Sequence, residues 1–278
     1  MTVSARMRGA LAVMICASTA AGQQPAPGRG GGFREPDPLN FEDHDGFIRI
    51  FDGATLNGWD GNPAVWRVEN GAIVGESTRE KPAGNTFIVY RATEAKDFDL
   101  KLEAKVEYGG GSGIQYRSTT GLPQNAPNTG GNRGGGNPAA PPRDPRWTMI
   151  GPQMDFWLPL NPNSSRYTGQ LYSQNTGRGI IAWRGQVVQT APDKMPRLVG
   201  NVGDRNELGG YGKFGDWNQL TMIVRGGTFF HILNGQLMAV LVDDDPASSN
   251  NVTGFVGLQI EGTPCKVSFR NIWLKKKS

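Results

Sequence analysis

From Gly46 onward the chain is a succession of short runs rich in β-branched and aromatic residues, separated by turn signals. The runs are "GFIRIFDG", "AVWRVENGAIVGE", "NTFIVYR", "DFDLKLEAKVEY", "SGIQYRS", "PQMDFWL", "GIIAWRGQVV", "NQLTMIVRGGTFFHILNGQLMAVLVD", "GFVGLQIEG" and "KVSFRNIWL". Few helical periods interrupt them. Many short strands at this spacing predict an all-β sandwich. The Asn-Gly pairs at 70–71 and 234–235 are hairpin signals, because both residues tolerate the positive φ of a two-residue turn.

The segments outside this pattern define the domain limits. Arg6 and Arg8 precede the apolar run "GALAVMICASTAAG", and small residues lead on to "QQPAPGRGGG". That is the layout of a secretory signal over residues 1–22, cleaved near Ala21 or Gly22, and it predicts a secreted or periplasmic protein. The run is too short to span a bilayer, so no transmembrane segment is expected. Residues 23–45 read as a flexible Pro/Gly-rich lead and residues 46–278 as one domain. Without the signal only Cys265 remains, so no intrachain disulfide is available and the domain depends on its core. Within it, residues 119–146 have almost no apolar bulk and read as a disordered insertion. The net charge of +4 and the lack of a basic patch interleaved with aromatics argue against a nucleic-acid partner.

Strand parity selects candidate functional residues. Alternate side chains lie on opposite faces of a strand. Gln115 and Arg117 therefore share a face, as do Gln153, Asp155 and Trp157, and Gln259 and Glu261. The opposite faces carry Ile114 and Tyr116, Met154 and Phe156, and Leu258 and Ile260. A polar concave face and a solvated outer face both give this alternation. Amides, an arginine, an aspartate and a tryptophan suit sugar binding better than plain solvation. Tyr172 and Arg178, in "TGQLYSQNTGRGI", join the candidate substrate contacts. Gly177 and Gly179 around Arg178 either aim its guanidinium or form a plain hairpin turn. By contrast Lys101, Glu103, Lys105 and Glu107 alternate charge in the manner of a solvated face. His231 is one of two histidines, and a structural role is the stronger reading for it, a catalytic one the weaker. Asp243, Asp244 and Asp245 offer oxygen ligands of the kind calcium takes, but without EF-hand spacing they read as a turn, and no cofactor is predicted.

The ordered pieces "FDGATLNGW", "VWRVENGAIVG", "GSGIQYRS", "GPQMDF", "YTGQLYSQNTGRGI", "GDWNQLTMIVRG" and "CKVSFRNIWLK" resemble the 3-keto-disaccharide hydrolase domain family from about Gly46 to Lys275. The resemblance implies a concanavalin-A-like jelly roll of two antiparallel sheets and a carbohydrate substrate oxidised at C3 of a hexose. Where the family often has a histidine in "GLQIEG", this chain has Glu261. A C3 ketone acidifies the C2 proton and places the C1 oxygen β to the carbonyl. A base can then remove that proton and expel the C1 oxygen, after which water adds back. Such a site needs a general base and donors for the enolate oxygen. Asp155 is the first choice of base, Glu261 the second and His231 the third. A non-catalytic carbohydrate-binding jelly roll and a conventional two-carboxylate glycosidase remain alternatives.

Overall fold

The computed structural model describes residues 34–123, 140–157, 167–192 and 195–277. The expected signal over 1–22, most of the lead, and the middle of the 119–146 segment lie outside the described residues. The strands are β1 (Ile48–Arg49), β2 (Trp59–Gly61), β3 (Trp66–Glu69), β4 (Ala72–Ser77), β5 (Thr86–Ala95), β6 (Phe98–Thr120), β7 (Met149–Phe156), β8 (Leu171–Gln174), β9 (Gly179–Ala182), β10 (Gln186–Thr190), β11 (Arg197–Asn201), β12 (Asn218–Arg225), β13 (Thr228–Leu233), β14 (Gln236–Asp243) and β15 (Gly254–Lys276). One short helix, α1 (Arg205–Gly209), and a 3₁₀ turn (Pro145–Trp147) complete the described elements.

Two sheets form the sandwich. The first has the order β11-β10-β14-β13-β12-β6-β15-β4-β3, with β1 added on β15. The second runs β2-β5-β15-β6-β7-β8-β9. All pairings are antiparallel except β10 with β14. The long strands β6 and β15, 23 residues each, belong to both sheets and bend between them. The corner explains part of the glycine run in "GGGSGIQ". Gly109 has φ +81, and a Cβ there would lie 1.6 Å from the Pro264 carbonyl oxygen. The β6–β15 register shifts at the same place, between Glu261 and Cys265. A non-glycine residue could not let the two bent backbones approach so closely.

The core fills the space between the sheets. Leu100, Leu102, Ala104 and Val106 of β6 meet Ile88, Ile114, Met154, Phe156, Leu258 and Ile260 from the second sheet in one buried cluster. Tyr116 belongs to it too, and its hydroxyl reaches His231 Nε2 at 2.6 Å, giving the buried polar tip the partner it needs.

Two surface readings change. Lys101 is not solvated: it is 3% exposed, and its ammonium donates to the carbonyls of Asn40 (2.8 Å), Phe41 (3.2 Å) and Asp43 (2.6 Å). The compact unit thus begins at Leu39 and takes in the end of the expected lead. His44 stacks on Trp273 at 4.2 Å. Glu103 is likewise tied, accepting from Arg270 Nε (2.8 Å) and Asn271 Nδ2 (2.5 Å). Alternating charge fits a sheet face covered by another chain segment as well as it fits one in water.

Candidate active site

On the second sheet, the face turned away from the core carries a continuous polar network. Gln115 of β6 lies directly opposite Gln153 of β7, which lies opposite Tyr172 of β8. Residues directly paired across antiparallel strands share a face. Ser118 Oγ donates to Gln115 Oε1 (2.6 Å), and Gln115 Nε2 to Gln153 Oε1 (2.7 Å). Gln153 Nε2 then donates to Asp155 Oδ1 (2.6 Å) and to Gln259 Oε1 (2.9 Å). Gln259 Nε2 passes the direction on to Asn85 Oδ1 (3.0 Å) and Glu261 Oε2 (3.4 Å). The donors of this relay thus converge on two carboxyl groups. Gln115, Gln153 and Gln259 are almost fully buried, so a satisfied network is the only inexpensive state for them.

The two carboxyls differ in access. Asp155 is 5% exposed and both its oxygens are occupied, the second by Gln170 Nε2 at 2.5 Å. Burial raises its pKa to about 7, only partly offset by the bonds from Gln170 and Gln153. Glu261 is half-buried and, among the described residues, takes only the long Gln259 bond. Burial, then the nearby Asp155 charge, raises it to about 8, against the opposing charge of Arg143.

Glycines shape the floor beneath the network. A Cβ at Gly111 would lie 2.0 Å from the Trp157 ring, and one at Gly113 would lie 2.3 Å from Gln153 Nε2. The side chains of β7 therefore lie flat across β6 where it has none of its own. Trp157 rests on Gly111 and meets Tyr167 edge-on at 5.5 Å, which leaves an aromatic plate beside Glu261, the strand partner of Gly111.

Several expected site residues stand elsewhere. Arg117 does not share the face of Gln115. It has φ +46 at a β-bulge, where the register with β7 shifts between Gln115 and Thr119. A bulge breaks the two-residue alternation on which the parity argument rested. Its buried guanidinium donates to the carbonyls of Lys96, Gly226 (2.8 Å) and Asn250 (3.2 Å) and pairs with Asp97 (2.7 Å). His231 is a core residue, held by the Tyr116 hydroxyl and by the carbonyls of Gly169 and Gln170. Burial lowers its pKa to about 4, so it is neutral at physiological pH. Arg178 binds Asp243 Oδ2 (3.2 Å) and Ser248 Oγ (2.9 Å) in a separate cluster. Among the described residues no three His, Cys, Asp or Glu side chains gather as a metal site would require, and no helix is long and apolar enough to cross a membrane.

Three residues of the site were not anticipated. Gln170 shares parity with Tyr172 and was legible in "TGQLYS". Asn85 immediately precedes β5 and gave no signal. Arg143 belongs to the described end of the 119–146 segment. There Asp144 caps the 3₁₀ turn and Pro145 starts it, a helix-start pattern hidden by the low-complexity surroundings. A surface cleft of about 360 Å³ around Arg184, Asn201 and Arg205 contains none of these residues.

Known proteins resemble this chain in sequence and in fold. A curated relative from Bacteroides thetaiotaomicron, a 3-keto-disaccharide hydrolase, is 42% identical over 81 residues, which cover 27% of this chain and 28% of that protein. A proposed glycosyl hydrolase from Parabacteroides distasonis is 17% identical with a TM-score of 0.50, over 83% of this chain and 99% of that one. A Bacillus subtilis protein of galectin-like fold is 10% identical, also with a TM-score of 0.50, over 80% of this chain and 90% of the other. These two structures bear on the fold, and they support the jelly-roll sandwich described above. The family model for the 3-keto-alpha-glucoside-1,2-lyase-like domain matches residues 46–275, and the chain belongs to that family.

Proposed function

We propose that this protein is an exported enzyme that cleaves the glycosidic bond of 3-keto-glycosides or 3-keto-disaccharides by elimination and rehydration. The observation that carries the reading is the accessible, elevated-pKa Glu261 beside Trp157, at the end of an amide relay that also fixes Asp155. Glu261 is the base in this reading. Asp155, more deeply buried and already accepting two short amide bonds, acts in this reading through its charge, which makes Glu261 more basic.

The steps balance around one carboxylate. Ionised Glu261 takes the C2 proton, and the C–H electron pair becomes the C2–C3 double bond of an enolate. That charge returns to re-form the C3 carbonyl, a C1–C2 double bond forms, and the C1–O bond breaks. Glu261 passes its proton to the departing oxygen. It then accepts a proton from water as the hydroxyl adds to C1, and returns that proton to C2. The net change is hydrolysis, with Glu261 restored. Because the carboxyl must be ionised at the start, turnover rises with pH through about 8.

The test is incubation with a 3-keto disaccharide and its unoxidised parent, with deuterium at C2 followed by NMR. Cleavage of the keto sugar alone, with C2 exchange, is expected. Cleavage of both sugars without exchange would point to an ordinary glycosidase, and binding without turnover to a lectin-like module.

A further inference from the structure

Asn85 has no part in the reaction as written above, yet the fold sets it beside the base. Strands β5 and β15 pair Thr86 with Ile260. One step back from Thr86 and one step on from Ile260, the antiparallel register brings Asn85 alongside Glu261. Residues opposite one another on antiparallel strands share a face, with Cβ atoms ~4.5–5.5 Å apart. The side chains agree with that placement, because Gln259 Nε2 donates both to Asn85 Oδ1 (3.0 Å) and to Glu261 Oε2 (3.4 Å). On its other side Glu261 pairs with Gly111, over which the Trp157 ring lies. The base is thus flanked by an amide on one strand and an aromatic plate on the other.

The amide is placed but only half used. The turn that delivers it is fixed by the Ala83 amide, which donates to Ser77 Oγ (2.9 Å), and by Gly84 at φ +70. Asn85 itself is 6% exposed. Its Oδ1 serves Gln259, and this bond sets which way the amide is turned. Its Nδ2 is buried and has no hydrogen-bond acceptor among the described residues. An unpaired buried donor is costly and calls for an explanation.

We propose that Asn85 Nδ2 is the donor that receives the C3 oxygen of the bound keto sugar and stabilises its enolate. This rests on the elimination reading of the site. Deprotonation at C2 moves charge onto an oxygen carried by the next carbon, so base and donor must be near neighbours. One cross-strand spacing meets that need. The order across the sheet, Asn85 then Glu261 then Trp157 over Gly111, matches the order C3, C2, C1 along the sugar. The C3 edge therefore faces Asn85, C2–H faces Glu261, and the group leaving C1 departs over the aromatic plate. A preorganised amide away from water gains most from an oxygen that turns anionic in the transition state. Being neutral, it does so without making its neighbour Glu261 less basic, as a cation would.

The test compares Asn85→Ala and Asn85→Asp with the wild type on a 3-keto disaccharide. Ala removes both the donor and the acceptor for Gln259, whereas Asp keeps the acceptor and removes only the donor. Loss of one oxyanion donor costs ~10²–10³-fold in kcat, so both variants should fall by about that factor in kcat and in C2 exchange, with KM changed far less. A residue that only positions Gln259 would lose activity in Ala and keep it in Asp. The second readout is the infrared stretch of the C3 carbonyl, isotope-labelled, in sugar bound to a Glu261→Gln protein that does not turn it over. The stretch should lie below that of the same sugar in an aprotic solvent, and should rise when Asn85→Ala is added. An Asn85→Asp protein with kcat within about threefold of wild type would overturn the proposal. So would a bound carbonyl that vibrates as it does in the aprotic solvent, a result that needs no substitution at position 85. A wild type that neither cleaves the keto sugar nor exchanges its C2 proton would instead overturn the elimination reading, and the donor with it.

Discussion

Asp155 and Asp243 are buried to nearly the same degree, 5% and 2% exposed, at the ends of strands in one sandwich, yet their surroundings drive them in opposite directions. Asp243 accepts from Ser248 Oγ (2.6 Å), Thr190 Oγ1 (2.8 Å) and Asn250 Nδ2 (3.1 Å), and pairs with Arg178. Burial alone would raise its pKa, but these bonds and the guanidinium outweigh burial and lower it. Among the described residues Asp155 accepts only from two side-chain amides, and burial wins, raising it to about 7. The hydroxyl and amide donors around Asp243, with the Arg178 charge as a smaller addition, decide that it is a fixed anion tying a loop to a strand while Asp155 titrates. The charge of Arg143 bears on Glu261, whereas among the described residues no cation bears on Asp155.

The largest effect expected from this contrast is on turnover. Glu261→Gln keeps the shape and the Gln259 contact but removes the base, and general-base catalysis is worth ~10²–10⁴-fold. Turnover and C2 exchange should fall together by about that factor while sugar binding, followed by calorimetry, survives. Near-normal turnover would return the base to Asp155 and dissolve the distinction drawn here. Asp243→Asn should do the reverse. It removes the charge that Arg178 and two hydroxyls were built around, but Arg178 is 31% exposed, so the cost falls somewhat below that of breaking a fully buried pair, at about 2–4 kcal/mol. In a chain of this size that lowers Tm by about 5–10 °C, with turnover per folded molecule unchanged. An Asp155→Asn protein destabilised as much as Asp243→Asn would show that the two carboxylates are not different in kind.

How far the sequence reveals this depends on local order. The sandwich was legible because its strands are regular: Ile114, Met154, Phe156, Leu258 and Ile260 all point into the core as their alternation requires. Gln115, Gln153, Asp155 and Gln259 fell together for the same reason. Arg117 failed because a bulge two residues after Gln115 rotates the strand, and nothing in "QYRS" announces a positive φ at an arginine. Lys101 failed because parity shows which face a side chain takes, not what covers that face, and Glu103 because parity does not show the cross-strand partners Arg270 and Asn271 that hold it. Arg143 failed for the opposite reason. Its segment was read by composition, and composition cannot register that Asp60, some eighty residues earlier, fastens the two residues just beyond it.

The smallest expected effect is also the one that isolates the buried charge. Asp155 has a folded-state pKa near 7 against an ordinary value of 3.8, so the folded protein holds this proton more tightly than the unfolded chain does. The stability this contributes is fully present below about pH 4 and is lost as pH rises through 7. Glu261, raised to about 8, loses stability over a similar range, and His231, lowered to about 4, loses it on the other side as pH falls below 6.5. Asn at position 155 cannot ionise. The Asp155→Asn protein should therefore gain in Tm relative to wild type between pH 5 and pH 8, whatever the constant offset between the two. The same substitution removes the charge that helps to raise Glu261, so the alkaline rise of kcat/KM should begin at lower pH. Thermal melts and rate profiles on one pair of proteins read both. If the Tm difference is flat across that range, Asp155 is an ordinary ionised carboxylate like Asp243, and the relay of glutamines serves only to anchor it.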